Sequence, residues 1–166
     1  FPVLGKLGAE GVRVDGYWAD DGRIDERRSI DDQQEALEIA AVRASSGWSG
    51  IYTGGTCFKK QREVAPEHYE YSADLATRYM EAVCTSGVAT GQAADAEKIR
   101  TFRRAIGDHA LTLASGITPD NAHLYMDDVD GFMVATGINH DGDFYNIDPR
   151  KLARLLKLTR QHGAKS

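Results

Sequence analysis

Five short apolar runs, each closed by a polar loop that carries glycine, constrain this chain more than any other feature. They are Val12–Val14, Gly50–Thr53, Ala82–Thr85, Leu111–Ala114 and Phe132–Ala135. Each is too short for a helix and lacks the alternation of a half-solvated strand, so they read as buried parallel strands. Helical periods fill the intervals. Ser29 opens one, with Leu37, Ala40, Ala41 and Ala44 as its expected apolar stripe. Pro66 opens a second, and Asp95 caps a third whose inward face is Ile99, Phe102 and Ile106. Thr118-Pro119 starts a short helix, and Asp148-Pro149 starts the last, with Leu152, Leu155 and Leu156 inward. Alternation of this kind specifies an α/β fold with a parallel sheet.

The choice within that class follows from spacing and from glycine. The runs begin near residues 12, 50, 82, 111 and 131. A closed (β/α)8 barrel needs about 31 residues per unit, so 166 residues hold about five units. The opening Phe1–Gly5 reads as a strand end, yet too few residues separate it from Val12 for a parallel crossover. An interruption of the chain is therefore expected within residues 5–11, and residues 1–166 read as one barrel domain lacking its first strands. Seventeen glycines are about one residue in ten, above the usual ~7%. They close every run, and no G-x-G-x-x-G or G-x-x-x-x-G-K-[ST] pattern opens a helix. Ligand groups spread over many strand ends suit a barrel better than a dinucleotide fold.

Composition removes other classes. Twenty basic against 25 acidic residues give a net charge of −5, which offers nothing to a nucleic-acid backbone. No apolar run reaches the roughly 18 residues a membrane span requires, and no leader pattern opens the sequence. Cys57 and Cys84 read as reduced, buried thiols of a cytoplasmic protein. The five histidines form no ligand pattern and there is no C-x-x-C, which excludes a structural zinc site.

The sharpest chemistry lies in the last two loops. Ser115 and Gly116 follow one strand, and Thr136 and Gly137 follow the next. Small residues let an anion approach backbone amides, the two hydroxyls add donors, and a helix starting at Thr118 would lend its dipole. Barrels commonly hold phosphate between these loops. Asp15, taken as the carboxyl end of the first run, and Lys59, just past Gly55, are the candidate acid–base or charge-stabilising pair, with Thr85 and Ser86 orienting a substrate. Gly87, Thr90 and Asp95 are further loop contacts, Asp95 also being a natural helix cap. No cofactor is expected, and a divalent ion between Asp15 and a substrate phosphate stays open.

Several of these stretches occur together in one family. Gly47-Trp-Ser-Gly-Ile-Tyr-Thr-Gly-Gly55 with Phe58-Lys-Lys-Gln-Arg62, and Thr85-Ser-Gly-Val-Ala-Thr-Gly-Gln-Ala-Ala-Asp95 with Lys98-Ile-Arg100, are two of them. Ala114-Ser-Gly-Ile-Thr-Pro-Asp-Asn121, Val134-Ala-Thr-Gly137 and Asp148-Pro-Arg150 complete the set. From about Gly11 to Arg160 the chain resembles the BtpA/SgcQ family. The resemblance implies a phosphate-binding (β/α)8 barrel of which this chain supplies the last five units. The family takes its name from a member needed to accumulate photosystem I in cyanobacteria; others look like bacterial metabolic proteins of unassigned activity, some encoded beside sugar-transport or carbohydrate genes.

Two functional readings follow. One is an enzyme acting on a small phosphorylated metabolite, a sugar or nucleoside phosphate, by isomerase, lyase or aldolase-like acid–base chemistry. The other is a non-catalytic binding or assembly protein. Tyr69, Tyr71, Tyr79 and Tyr125, placed in the outer layer, further suggest a homo-oligomer.

Overall fold

The computed structural model describes residues 1–163. Its five strands are β1 (Gly16–Ala19), β2 (Ile51–Gly55), β3 (Ala82–Ser86), β4 (Ala110–Ala114) and β5 (Gly131–Met133). Five helices accompany them: α1 (Pro2–Ala9), α2 (Gln34–Ser45), α3 (Tyr69–Ala76), α4 (Ala96–Ile106) and α5 (Pro149–Gly163). All neighbouring strands are parallel and their order is the chain order, β1-β2-β3-β4-β5. A doubly wound sheet reverses its order and so acquires helices on both faces. Here every crossover steps the same way, and a constant hand then puts the helices on one face. The result is a curled partial (β/α) barrel, not a complete eightfold one.

The two sheet faces differ in what they carry. Tyr52, Val83, Leu111 and Leu113 alternate onto the helix side and pack with Ala73 and Ala76 of α3, Ile99, Phe102 and Ile106 of α4, and Leu155 of α5. The register aligns Gly55 with Cys84, Cys84 with Thr112, Ser86 with Ala114, and Ala114 with Met133 on the opposite face. Small side chains dominate there, and Phe58, Cys84, Ala114 and Met133 form a separate small cluster. Gly55 belongs to this close packing: a Cβ built on it would lie 1.9 Å from the Asp20 carbonyl oxygen. Both cysteines are free and buried, and burial pushes the Cys84 thiol up to about 11. Neither is an activated nucleophile. No helix among the described residues is long and apolar enough to cross a membrane.

The last four strands fall where the sequence puts them, but the front of the chain does not. Phe1–Gly5 is no strand end; it enters α1, whose first residue is Pro2. Proline suits that position because its missing N–H would have no partner there. The first strand is Gly16-Tyr-Trp-Ala19, not Val12–Val14. Two bulky aromatics with high strand propensity provide the pairing partners for Ile51–Gly54. Val14 is instead held by its carbonyl, which accepts from Trp48 Nε1 at 2.8 Å.

Two helical expectations also shift. In α2, Ala36 is buried and Leu37 exposed, so the expected stripe is rotated. Gln33 sets the rotation: its side-chain amide exchanges two 2.8 Å hydrogen bonds with the Asp25 backbone. That fixes Gln33, Ala36 and Ala40 inward, and the polar residue at the head of the row hides the pattern from hydrophobicity. The four tyrosines proposed for self-association serve the fold itself. Tyr125 is buried and donates to the Ala94 carbonyl, Tyr79 donates to Ile30 and Tyr71 to Arg28, while Tyr69 packs against Phe102.

The fold makes a direct stability prediction. Phe102 is fully buried where α4 meets α3 and the sheet, whereas Tyr145 is 92% exposed. Phe102→Ala should cost about 3–5 kcal/mol and Tyr145→Ala less than about 0.5 kcal/mol, read from urea unfolding midpoints at equal slope.

Candidate functional site

Lys59 organises the carboxyl end of the sheet. It lies in the loop after β2, and its backbone N–H donates to Ser86 Oγ, at the end of β3, at 2.8 Å. Its ammonium donates to Ser115 Oγ, just past the end of β4. One residue thus ties three consecutive strand ends together. Among the described residues no carboxylate lies within ion-pair distance of Lys59, so its charge is left to the site. Among the described residues four non-glycine positions have positive φ, and three of them are here: Cys57 (48°), Lys60 (66°) and Ser115 (68°). Such strain collects where the surroundings over-determine the backbone, which is common at ligand sites.

Gly116 and Gly137 are present, and their reason is more demanding than anion access alone. A Cβ at Gly116 would sit 1.9 Å from the Gln92 carbonyl oxygen, and one at Gly137 1.7 Å from that of Ile117. Gly116 also has φ +71°, a conformation side chains resist. The loops after β3, β4 and β5 therefore nest backbone against backbone. Thr136 lies under the same arrangement, its Oγ1 close to Gly91. Among the described residues the Gly116 and Gly137 amides have no internal acceptor, so both keep a donor for a ligand.

Other predicted residues take different parts. Thr85 and Ser86 are fully buried and brace the loops: Thr85 Oγ1 donates to the Cys57 carbonyl at 3.3 Å and Ser86 Oγ to Gly87 at 2.8 Å. Asp95 caps α4 by accepting from the Glu97 amide at 2.8 Å, and Thr90 is exposed in the same loop. No helix begins at Thr118. Its hydroxyl accepts from the amides of Asp120 and Asn121, its own amide donates to Asn121 Oδ1, and a single 3-10 turn follows at Ala122–Leu124. Those amides are engaged, and the dipole expected at this point is missing.

Asp15 needs the largest correction. Because β1 starts at Gly16, Asp15 lies at the amino end of the sheet, with its side chain exposed and paired to Arg13. It does not meet Lys59, and it cannot share a divalent ion with a phosphate at the other end.

Two groups escaped the sequence reading. Lys98 projects from the first turn of α4, donating to the Cys57 carbonyl at 2.5 Å and the Ser86 carbonyl at 2.8 Å, beside the rings of Tyr69 and Phe102. Burial pushes this ammonium down from its usual value. The available signal was helical spacing, since Lys98 stands one turn before the core residue Phe102. Arg62 forks onto the buried Glu26 carboxylate at 2.8 and 2.5 Å and joins the loops after β1 and β2. Burial raises Glu26, but the Arg62 hydrogen bond and charge help hold its carboxyl below the usual value. Asp25 beside it is lowered to about 2, chiefly by the Arg27 hydrogen bond.

Comparison with known proteins agrees with this architecture. The family model described as "BtpA family" matches residues 64–161, more than half of the chain. The protein belongs to the BtpA family. No curated protein matches it significantly in sequence. Among solved structures it is similar to monomers of phosphoribosylanthranilate isomerase from Thermotoga maritima, at 11% identity and TM-score 0.52, and to the isomerase of the same name from Thermus thermophilus, at 13% and 0.50. Each likeness covers 97% of this chain and 80% of the other. At these identities the shared property is the fold.

The acidic loop beside the site yields a pH prediction. Asp25 titrates lower in the folded chain than in the unfolded one, so its contribution is present above about pH 4 and is lost as pH falls toward 2. Thermal melts followed by circular dichroism should show a falling Tm across that window, and Asp25→Asn should flatten the fall.

Proposed function

We propose that this protein binds a small phosphorylated metabolite, a sugar or nucleoside phosphate, at the carboxyl end of its sheet and acts on it as an isomerase or lyase. The observation that carries the reading is the meeting of Lys59 with Ser115 over loops whose Gly116 and Gly137 amides have no internal acceptor. An ammonium, a hydroxyl and two amides present donors, the set a phosphate dianion requires. Thr136 adds a second hydroxyl. Lys59 would also stabilise negative charge that develops as a proton leaves a carbon beside a carbonyl. Asp15 has no part in this mechanism. Glu63 lines the same cavity as Lys59 and is the carboxylate assigned the proton exchange in this reading. The solved neighbours are named for a phosphoribosyl compound, which fits a phosphate-binding reading, but a fold does not itself assign a reaction.

A different observation favours a non-catalytic binding or assembly role. Tyr17 and Trp18 on the edge strand β1 are each 42% exposed, and an exposed aromatic edge is a surface for another chain.

Calorimetric titration of ribose 5-phosphate separates the two. Ser115→Ala should weaken binding about ten- to a hundredfold, as expected for one hydrogen bond to a charged group. Lys59→Met should weaken it at least as much, and Asp15→Asn should leave it unchanged. Equal affinity in all four proteins would refute the phosphate site and leave the assembly role.

A further inference from the structure

The cavity beside Lys59 is positively charged in a chain that is negative overall. It has a volume of about 310 Å³ and lies between the loops after β2 and β3, within the size range of small-molecule sites. Lys59, Lys60, Arg62 and Lys98 line it, against one acid, Glu63. Arg62 is neutralised by Glu26 and Asp25. Among the described residues, no carboxylate lies within ion-pair distance of Lys59, Lys60 or Lys98. Asp95 attracts Lys98 only from beyond that range. Three ammonium groups without carboxylate partners around one small cavity repel one another, and an anion among them would relieve that repulsion.

Bonds already described link these lysines. Lys98 Nζ is 2.8 Å from the Ser86 carbonyl, and Ser86 Oγ is 2.8 Å from the Lys59 backbone nitrogen. The Lys59 side chain then extends from that point to Ser115. Ser86 thus joins the two lysines, with Lys98 on its carbonyl and the Lys59 backbone on its hydroxyl. Two carbonyls occupy two of the three Lys98 donors, leaving one.

We infer that the ligand carries two anionic groups: a phosphate at Ser115, Gly116 and Gly137, and a second phosphate or a carboxylate in the cavity held by Lys98 and Lys60, with Lys59 between them. This rests on the phosphate-binding reading above and narrows its substrate to a small bisphosphate or phosphorylated acid.

Calorimetry with three probes tests it: glycerol 3-phosphate, 3-phosphoglycerate and ribulose 1,5-bisphosphate. The wild-type protein should bind at least one doubly charged probe more than tenfold tighter than glycerol 3-phosphate. Whichever probe gains identifies the second group as carboxylate or phosphate. Lys98→Met should remove that preference, the doubly charged probe losing at least tenfold more affinity than glycerol 3-phosphate. Lys60→Gln, at an exposed position that carries no packing, should reduce the preference severalfold in a protein of unaltered Tm. Ser115→Ala should weaken all three probes alike. Equal binding of the three probes by wild type, or a preference untouched by both lysine variants, would overturn the second subsite and leave the first. Failure of wild type to bind any probe would overturn both.

Discussion

A parallel sheet whose order never reverses is the constraint on which the rest of this structure depends. Each strand must be followed by a crossover of the same hand, so all five carboxyl ends emerge on one side and the helices share one face. That geometry brings Lys59 to Ser115 across 56 residues of sequence separation. It also explains why the face away from the helices is lined by Gly55, Cys84, Ser86, Thr112 and Ala114: a sheet curling toward that side leaves little volume for side chains.

The loops at that end are held by backbone contact more than by side-chain packing. Gly55 admits the Asp20 carbonyl, Gly116 admits that of Gln92, and Gly137 admits that of Ile117. Glycine there fits three loops within van der Waals distance of each other and, at Gly116 and Gly137, leaves amides without an internal acceptor. The two purposes are inseparable at Gly116, where any side chain would displace the neighbouring loop before it touched a ligand. Lys98 completes the arrangement from below by joining the carbonyls of Cys57 and Ser86.

What could be read from sequence follows from how local each signal is. Strands β2 to β5 are continuous apolar runs bounded by small residues, and α4 shows its buried Ile99, Phe102 and Ile106 at plain helical spacing; both signals survive without knowledge of the partners. The face of α2 was illegible because Gln33, a polar residue satisfied by a backbone 8 positions away, heads its inward row. Asp15 was misplaced by four residues of strand register, which is enough to move a side chain to the other end of a sheet. Thr118 looked like a helix start and is a turn, since Asn121 closes the hydrogen bonds that a helix would have opened. Of the candidate site, Lys59, Ser115, Gly116, Thr136 and Gly137 stand out in the sequence by composition, while the bracing roles of Thr85 and Ser86 depend on burial that no sequence pattern reports.

Charge distribution links the fold to the ligand proposed for the site. The chain carries −5 overall, so a small anion is repelled by the molecule as a whole. Aspartates and glutamates on the loop after β1 are engaged by Arg27, Arg28 and Arg62, which removes their field from the mouth of the cavity. Lys59, Lys60 and Lys98 are left without such partners. A cavity walled by apolar rings such as Phe58 and Tyr69 screens those charges poorly, and their field is focused where the loops part. On the proposed two-anion reading, a singly charged or neutral compound would gain little from the cavity, whereas each of two anionic groups would meet a cation.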